Sequence, residues 1–314
     1  MVNFQAKDII SMNDLSKDEI DYILDKAGEI GHNPNRSRLL EGKVLASLFF
    51  EPSTRTRTSF EKAMRNLSGR VEGFADPKIT SVVKRESLWD TIRIYDGYGY
   101  DVFVIRHPLK GAARLAAEAA QAPVINAGDG PNQHPTQTLL DLYTIRETQG
   151  TIDNISIAMV GDLENGRTVH SLTEALVKYE GCRLFFISSR DLAMPGHLID
   201  KCRERAERGG FHFQELTHLD QVIDQVDIVY MTRIQRERFE GREHLYEKVK
   251  SIYRLDMSAL QKVKTTMKVL HPLPRVDEIS IEVDKTPYAY YFEQASNGLR
   301  VREALLALVT GVIQ

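Results

Sequence analysis

The fold is decided by residues 44–58, in which the apolar run VLASLFF (44–50) passes directly into EPSTRTRT (51–58). An unbroken apolar run of this length is typical of a strand that is buried on both faces of a parallel sheet. Pro52 suits a helix entry because it has no N–H group to leave unpaired. Residues 53–67 then carry apolar side chains at helical spacing. The stretch therefore predicts a strand that leads into a helix, which is the repeating unit of α/β folds.

The same alternation of strands and helices continues on both sides of this stretch. A first helix is predicted from Ser16, which forms a capping-box pattern with Glu19. Further helices are predicted at residues 88–95, 112–120, 136–148 and 299–312. Further strands are predicted at residues 71–74, 102–105, 124–127, 155–160, 184–188, 228–231 and 267–270. With a boundary near residue 150, the pattern predicts an α/β protein of two doubly wound domains with mainly parallel sheets, and a length of 314 residues suits two domains.

Composition restricts the class of protein. The chain has 41 Lys+Arg, 44 Asp+Glu, a net charge of −3 and 42% hydrophobic residues, which is typical of a soluble globular protein and not of a disordered one. This near-neutral charge argues against nucleic acid as a partner. Cys182 and Cys202 are the only cysteines, so one chain cannot form a disulfide framework or a four-thiolate zinc site. The chain begins without a signal-peptide pattern and has no apolar run of about twenty residues, so we expect a cytoplasmic protein with no membrane partner.

A candidate phosphate site follows the strand at residues 44–50. Ligands of open α/β sheets bind beyond the carboxyl ends of the strands, so the residues after each strand are candidates. A predicted helix start, where free backbone N–H groups and the helix dipole attract anions, carries Ser53, Thr54, Arg55, Thr56 and Arg57. This crowding predicts a phosphate site. The alternative is an ordinary Ser/Thr helix cap beside solvated arginines.

Two further candidates follow later strands of the first domain. Arg106 comes directly after residues 102–105, and His134 ends the glycine-rich loop GDGPNQH (128–134). A neutral imidazole at this place could donate a hydrogen bond to a carbonyl oxygen, and a purely structural histidine is the alternative. His107 is followed at once by a proline, and we assign it a structural role.

The second domain offers groups that suit a small acid. Arg167 and Arg233 follow two of its strands, and guanidinium groups there could bind carboxylates, with surface ion pairing as the alternative. HPLPR (271–275) is a constrained loop whose carbonyl groups could face the site, and the loop at Gly161 lacks the G-x-G-x-x-G pattern of dinucleotide sites. The residues alone thus predict a cleft between two α/β domains, without metal or cofactor, in which positioning and electrostatic stabilisation supply the chemistry.

Several motifs taken together resemble the aspartate/ornithine carbamoyltransferase family. These are STRTR (53–57), RHP (106–108), HPTQ (134–137) and HPLPR (271–275), while GRTVH (166–170) and TRIQ (232–235) are similar to the aspartate branch. The resemblance implies transfer of the carbamoyl group of carbamoyl phosphate to L-aspartate, an early step of pyrimidine synthesis. It also implies a carbamoyl-phosphate-binding domain at 1–150, an aspartate-binding domain at 151–292, and a C-terminal helix at 293–314 that packs back on the first domain.

The resemblance implies a role for each candidate residue. Carbamoyl phosphate would be bound by Ser53, Thr54, Arg55, Thr56, Ser81, Lys84, Arg106, His134, Gln137, Pro272 and Leu273. Aspartate would be bound by Lys84, Arg167, Arg233, Gln235 and Leu273. The expected catalytic residues are Arg55, Thr56, Lys84, Arg106 and His134. Thr56, Arg106 and His134 would polarise the carbamoyl oxygen, Gln137 would contact the carbamoyl amide, and the bond between Leu273 and Pro274 would be cis.

The resemblance further implies a homotrimer with shared active sites. Ser81 and Lys84 would reach the site of the neighbouring subunit, and Glu51 would pair with Arg167 and Arg238 when the domains close. Whether a regulatory chain also binds is left open. The chain departs from the family pattern in having Val83 and Arg85 in the loop that carries Lys84, and Glu164-Asn165 before the Gly-Arg-Thr motif.

Two alternatives to an aspartate enzyme remain. The first is a carbamoyltransferase for another amino acid such as ornithine. That branch typically carries a cysteine where Pro272 stands, and Arg233 with Gln235 suits an acidic substrate better. The second is a non-catalytic module that binds phosphate or an amino acid. It predicts the loss of at least one residue of the catalytic set, and none is lost.

Overall fold

The computed structural model describes residues 2–34, 36–234, 246 and 252–313. The chain divides into two compact units. Unit 1 comprises Met1–Tyr143 with Ser296–Gln314, and unit 2 comprises Thr144–Ala295. Each unit is built on one sheet whose paired strands are all parallel, with helices between the strands. The predicted α/β class with parallel sheets is confirmed.

Unit 1 contains a four-stranded sheet in the order β2-β1-β3-β4. Its strands are β1 (Val44–Phe49), β2 (Arg70–Phe74), β3 (Val102–His107) and β4 (Val124–Asp129). Its helices are α1 (Lys17–His32), α2 (Thr54–Asn66), α3 (Leu88–Gly97), α4 (Ala112–Ala119) and the first part of α5 (Pro135–Gln149). Leu48 of β1 and Ile105 of β3 are fully buried, as expected for continuous apolar runs in the centre of a parallel sheet.

The helix α1 begins at the predicted capping box. Ser16 Oγ accepts a hydrogen bond from the backbone N–H of Glu19 at 3.2 Å, and Glu19 Oε2 accepts one from the backbone N–H of Ser16 at 2.9 Å. Two N–H groups of the first turn, which have no partner within the helix, are satisfied in this way. The predicted start of the helix is therefore confirmed.

Unit 2 contains a five-stranded sheet in the order β7-β6-β5-β8-β9. Its strands are β5 (Ser156–Val160), β6 (Cys182–Ile187), β7 (Phe211–Leu216), β8 (Ile228–Met231) and β9 (Lys268–Leu270). Its helices are α6 (Arg167–Leu176), α7 (Gly196–Glu207) and the first part of α8 (Tyr291–Val309). The core of this unit includes Val160, Met231, Leu255, Val269 and Tyr291, all of them buried.

The strand β7 was not predicted from the sequence. It lies at the edge of the sheet and pairs only with β6 among the described strands. Phe211 is buried, whereas His212, Gln214 and Glu215 are exposed or partly exposed. An edge strand with one solvated face alternates polar and apolar residues and has no continuous apolar run, so it lacked the signal by which the other strands were recognised.

The boundaries between the units lie inside helices. The units divide after Tyr143, within α5, and after Ala295, within α8. The boundary expected near residue 150 followed a break in the sequence pattern at the end of a helix, and the one at residue 292 was implied by the family resemblance. The final helix also begins at Tyr291 and not at Leu299. No helix in the described part of the chain combines the length and the apolar character that a membrane crossing requires.

Candidate active site

The start of α2 is open to an anion. Ser53 is the N-cap residue, with extended backbone angles (φ −155°, ψ 107°), yet its side chain makes no capping hydrogen bond. The N–H groups of the first helical turn are thus not satisfied by this hydroxyl, in contrast to the capped start of α1. Thr54 and Arg55 are exposed and Thr56 is buried. The alternative of an ordinary Ser/Thr cap is not supported, and the geometry favours anion binding.

Arg57 of this cluster forms an ion pair within α2. Its guanidinium donates to Glu61 Oε1 at 2.9 Å, one turn further along α2. This is the ordinary i,i+4 ion pair of a helix surface. The interpretation as a structural pair therefore applies to Arg57 but not to Arg55.

Arg106 lies at an irregularity of the sheet next to α2. The register between β3 and β4 shifts between Ile105 and His107, and such bulges re-aim a side chain. Its Nη2 lies 3.3 Å from Glu51 Oε1, and its Nη1 lies 3.4 Å from the carbonyl oxygen of Ala127. Both distances are at the long end of hydrogen-bond geometry, and the buried Nε has no hydrogen-bond partner among the described residues. This guanidinium therefore retains capacity to bind an anion.

Arg55 and Arg106 act on each other electrostatically. Burial, together with the positive charge of Arg106, lowers the pKa of Arg55. Two guanidinium groups that repel each other at the open start of a helix are stabilised when an anion lies between them. Of the residues predicted to bind phosphate, Arg55 and Arg106 are thus close enough for the charge of one to act on the other.

The loop between β4 and α5 is held by a buried aspartate. Asp129 accepts hydrogen bonds from Asn126 Nδ2 at 2.9 Å, from Asn132 Nδ2 at 2.9 Å and from the backbone N–H of Gln133 at 3.1 Å. These bonds fix the segment that ends at His134, which is only 4% exposed. His134 Nδ1 lies 3.5 Å from Thr136 Oγ1. The position of the imidazole is therefore set by the loop and by the first turn of α5.

Gln137 lies in the first turn of α5 and is largely buried. Its Nε2 donates to Asp141 Oδ1 at 2.8 Å. Asp129 and Asp141 were both missed by the sequence analysis. Asp141 carried a detectable signal, because residues four positions apart on a helix lie on the same face.

His107, which the sequence analysis assigned a structural role, is tied to its own loop. His107 Nδ1 accepts from the backbone N–H of Leu109 at 3.0 Å, and burial lowers the pKa of this histidine. Both observations fit the structural role predicted for it.

Ser81 and Lys84 lie on the exposed turn Ser81–Lys84, and no hydrogen bond or ion pair of the described residues joins them to Arg55 or Arg106. Within one chain these two residues are thus not part of the Arg55–Arg106 group.

The candidate residues of unit 2 follow neighbouring strands of its sheet. Arg167 is the first residue of α6, after β5, and Arg233 follows β8, which pairs with β5. Thr232 donates from its hydroxyl to the carbonyl oxygen of Val160 at 2.9 Å, so the chain just before Arg233 is tied to the end of β5. The two arginines therefore come from loops at the same edge of the sheet. Gln235 and Arg238 lie outside the described residues.

The loop that leads to Arg167 is fixed by two polar side chains. Asp162 Oδ1 accepts from the backbone N–H of Asn165 at 3.0 Å. His170 Nε2 lies 2.7 Å from the carbonyl oxygen of Leu163, so this nitrogen carries the proton and donates it. Burial lowers the pKa of His170, which keeps the ring neutral near pH 7. His170 is thus a structural support of the loop.

The loop after β9 is locked by a buried His–Glu pair. His271 Nδ1 accepts from the backbone N–H of Leu273 at 2.7 Å, and its Nε2 therefore carries the proton and donates to Glu278 Oε1 at 2.7 Å. Glu278 Oε2 also accepts from the backbone N–H of Val276 at 3.0 Å. The bond between Leu273 and Pro274 is cis, which confirms the prediction.

Glu278 is held in its charged form by these contacts. Burial is the largest influence and would raise its pKa, but the hydrogen bond from His271, the attraction of that ring and the backbone hydrogen bonds together outweigh burial and keep the pKa of Glu278 below its ordinary value. The sequence analysis missed Glu278, because nothing in the local pattern indicates that it is buried. The loop that carries Pro272 and Leu273 is thus rigid on the side of the protein interior.

The sheet orders explain how these loops gather. In unit 1 the candidate residues follow β1, β3 and β4, and in unit 2 they follow β5, β8 and β9, which are three adjacent strands in each sheet. Parallel strands end at the same edge, so each unit presents one cluster of candidate residues. Among the described residues, no three His, Cys, Asp or Glu side chains come together as metal ligands would.

Comparison with known proteins agrees with this geometry. Residues 7–147 match the model of the aspartate/ornithine carbamoyltransferase carbamoyl-P binding domain, and residues 153–309 match that of the Asp/Orn binding domain. The chain is 53% identical over 315 residues to the aspartate carbamoyltransferase catalytic subunit of Thermococcus kodakarensis, with 99% of each chain covered. It is also similar to the solved catalytic subunit of M. jannaschii aspartate transcarbamoylase (49% identity, TM-score 0.88, covering 96% of this chain and 97% of that one).

A further solved structure carries both substrates that the sequence motifs suggest. It is the aspartate transcarbamoylase from Trypanosoma cruzi in complex with carbamoyl phosphate and aspartate, with 37% identity, a TM-score of 0.91, and coverage of 98% of this chain and 97% of that one. The two domain models together match residues 7–147 and 153–309, and the relatives cover nearly the full length of the chain. The chain belongs to the aspartate/ornithine carbamoyltransferase family.

Proposed function

We propose that this chain transfers the carbamoyl group from carbamoyl phosphate to the amine of L-aspartate, giving N-carbamoyl-L-aspartate and phosphate in pyrimidine biosynthesis in the cytoplasm. The main evidence for this proposal is the start of α2, where the Ser53 side chain makes no capping hydrogen bond and the charges of Arg55 and Arg106 act on each other. A dianionic phosphate group is the ligand that such a combination of helix N-terminus and guanidinium groups favours. The relatives named above, which are aspartate carbamoyltransferases, support the choice of reaction.

Unit 1 would bind carbamoyl phosphate. Ser53, Thr54, Arg55 and Thr56 hold the phosphate, and the carbamoyl oxygen lies toward Thr56, Arg106 and His134. Hydrogen-bond donors at this oxygen stabilise the negative charge that develops when the amine attacks. Arg106 suits this role because its Nε has no partner among the described residues and its other hydrogen bonds are long. His134 suits it because its loop is rigid and its side chain is buried.

Unit 2 would bind aspartate. Arg167, Arg233 and Gln235 hold its two carboxylates, and the carbonyl groups of Pro272 and Leu273 accept hydrogen bonds from the amino groups. The pair of His271 and Glu278 keeps that loop in place. Rigid placement of the amine lowers the entropy cost of bringing the two reactants together in the transition state.

The reaction needs no residue that forms a covalent intermediate. The amine nitrogen attacks the carbamoyl carbon and forms the new C–N bond, and a tetrahedral oxyanion results. The C–O bond to phosphate then breaks, and the departing phosphate takes a proton from the amine. The protein contributes positioning and charge stabilisation, which fits a site composed of cations and hydrogen-bond donors.

The chain would act as a homotrimer with shared sites. Ser81 and Lys84 lie on an exposed turn and contact neither Arg55 nor Arg106 within the described part of their own chain, so they are available to a neighbouring subunit. Glu51, which contacts Arg106 in this structure, would pair with Arg167 and Arg238 on domain closure.

Mixing two inactive variants tests the shared site. Lys84→Gln and Arg55→Ala chains should each be nearly inactive, and a mixed trimer should recover activity because one of its sites contains both native residues. A mixture of well-folded, exchanging subunits that recovers no activity would contradict the shared site. Analytical ultracentrifugation of the native chain measures the trimer directly, and a monomer there would contradict it as well.

The proposed reaction is tested by product stoichiometry. The purified chain is incubated with carbamoyl phosphate and L-aspartate, and both phosphate and N-carbamoyl-L-aspartate are quantified. We expect equal amounts of the two products. Phosphate released without N-carbamoyl-L-aspartate would indicate a phosphatase and contradict the proposal, as would the absence of both products.

A further inference from the structure

A buried arginine of unit 1 has no role in the proposed reaction. Arg302 of α8 is only 4% exposed, and its guanidinium lies over the ring of Phe60 in α2, at 5.2 Å from the ring centroid. Its Nε has no hydrogen-bond partner among the described residues. Burial lowers the pKa of Arg302 to about 10, and the attraction of Asp141 opposes this shift. Arg302 therefore stays protonated near pH 7, and a buried charge of this kind requires a compensating partner.

The attraction that opposes burial comes from Asp141 in α5. Asp141 is fully buried, and its Oδ1 accepts from Gln137 Nε2 at 2.8 Å. In this contact the Gln137 amide is the donor and the carboxylate oxygen is the acceptor. An ionised carboxylate has no proton to donate. Only the amide nitrogen of Gln137 can therefore face Asp141.

The orientation of the Gln137 amide follows from this contact. With Nε2 committed to Asp141, Oε1 is the group directed away from the carboxylate. Gln137 is 9% exposed, so an unmatched polar atom there is costly. The side chain consequently presents an acceptor, which is satisfied by an N–H donor and not by a methyl group.

We infer that Asp141 and Arg302 are positioning residues that fix the polarity of the Gln137 amide and so make the site select a carbamoyl group over an acetyl group. The inference rests on the proposed function, in which Gln137 contacts the amide of carbamoyl phosphate. Acetyl phosphate has the same phosphate and carbonyl groups but carries a methyl group in place of the amino group. It would leave Gln137 Oε1 without a partner, and sites built for a hydrogen bond reject such analogues strongly.

The test compares affinities for the two acyl phosphates. The KM of carbamoyl phosphate is measured with saturating aspartate, and acetyl phosphate is titrated as a competitive inhibitor. In Asp141→Asn, the new amide can donate a proton, so the Gln137 amide is free to turn. We expect the preference for carbamoyl phosphate over acetyl phosphate to fall about ten-fold, as for the loss of one hydrogen bond.

A matched control removes another buried acid of the same unit. Glu303 of α8 is 1% exposed and accepts from Asn66 Nδ2 at 2.6 Å, and no hydrogen bond of the described residues joins it to Gln137. Glu303→Gln should lower stability and leave the preference unchanged. A purely structural role of Asp141 would make the two variants behave alike, with weaker binding of both ligands and a constant ratio.

Two substitutions of Arg302 provide a second test of the inference if the Asp141→Asn variant does not fold. Arg302→Met removes the charge and should lower the preference, whereas Arg302→Lys keeps the charge and should preserve it. An unchanged preference in folded, active Asp141→Asn, or equal preferences in the two Arg302 variants, would overturn the inference. A native chain that forms no N-carbamoyl-L-aspartate would instead refute the proposed function, before any variant is made.

Discussion

Replacing Gly161 with alanine would disturb the predicted aspartate site through the backbone alone. Gly161 follows β5 with φ +116°, and an added Cβ would lie 2.5 Å from Thr232 Oγ1 and 2.9 Å from the Thr232 carbonyl oxygen. Thr232 directly precedes Arg233. Because the backbone atom cannot rotate away as a side chain can, the clash must be relieved by a shift of the segment that carries Arg233.

The expected magnitude has two parts. A residue with a side chain at this φ costs about 1–3 kcal/mol, and the collision adds about 1–3 kcal/mol of overpacking. We therefore expect the free energy of unfolding to fall by about 2–6 kcal/mol. A displacement of Arg233 by a fraction of an ångström to one ångström should lower kcat/KM for aspartate by about 10- to 100-fold. Binding of carbamoyl phosphate, which we assign to unit 1, should change little.

Gly150→Ala is the matched control. Gly150 also has a positive φ, +78°, but nothing lies within 4 Å of its added Cβ. The free energy of unfolding of this variant should fall only by the backbone cost of about 1–2 kcal/mol, and its kcat/KM for aspartate should stay unchanged. Urea unfolding and steady-state kinetics measure both effects, and calorimetry measures carbamoyl phosphate binding. Equal aspartate kinetics in the two variants would refute the claim that the contact between Gly161 and Thr232 positions Arg233.

His134→Ala should lower kcat by about 100- to 1,000-fold, because it removes one donor to the developing oxyanion, while circular dichroism stays native; an unchanged kcat would exclude His134 from the mechanism. Glu278→Gln should lower stability at neutral pH and make the loss of stability in acid shallower. The pKa of Glu278 is lowered by folding, so its contribution is present above the ordinary value of 4.5 and is lost as pH falls through the folded value. Unfolding measured from pH 7 to pH 3 checks this, and identical pH profiles would contradict it. Arg85→Gly should raise stability by about 0.5–1 kcal/mol, because Arg85 is exposed and has φ +68°, a left-handed conformation that glycine adopts without strain. A lower melting temperature in that variant would contradict the strain argument.

Much of the fold was predictable because its signals are local. The strand β1 appeared as a continuous apolar run, and the start of α1 appeared as the pattern of Ser16 and Glu19. Arg55, Arg106 and Arg233 were proposed as candidates for a similar reason, since they follow strands whose carboxyl ends meet at one edge. Ser81, Lys84 and Gln137 do not follow a strand in this way and were named only through the family resemblance. The edge strand β7 had no such signal, because its solvated face interrupts the apolar run.

The supports of the site were less predictable, because they depend on packing between distant segments. Arg302 and Asp141 attract each other although more than 150 positions of sequence separate them, and the burial of Arg302 follows only from the packing of α8 in unit 1. Glu278 lies closer to His271, yet the sequence does not show that both are buried. Whether the clusters of the two units meet in a cleft, as the sequence analysis expects, stays a prediction.

Unit 2 is expected to select an acidic amino acid as the acceptor of the carbamoyl group. The most direct measurement compares L-aspartate with L-ornithine as acceptors at saturating carbamoyl phosphate, with kcat/KM as the readout. We predict turnover with aspartate and none above background with ornithine. Turnover with ornithine that equals or exceeds turnover with aspartate would contradict the assignment of Arg167 and Arg233 to the substrate carboxylates.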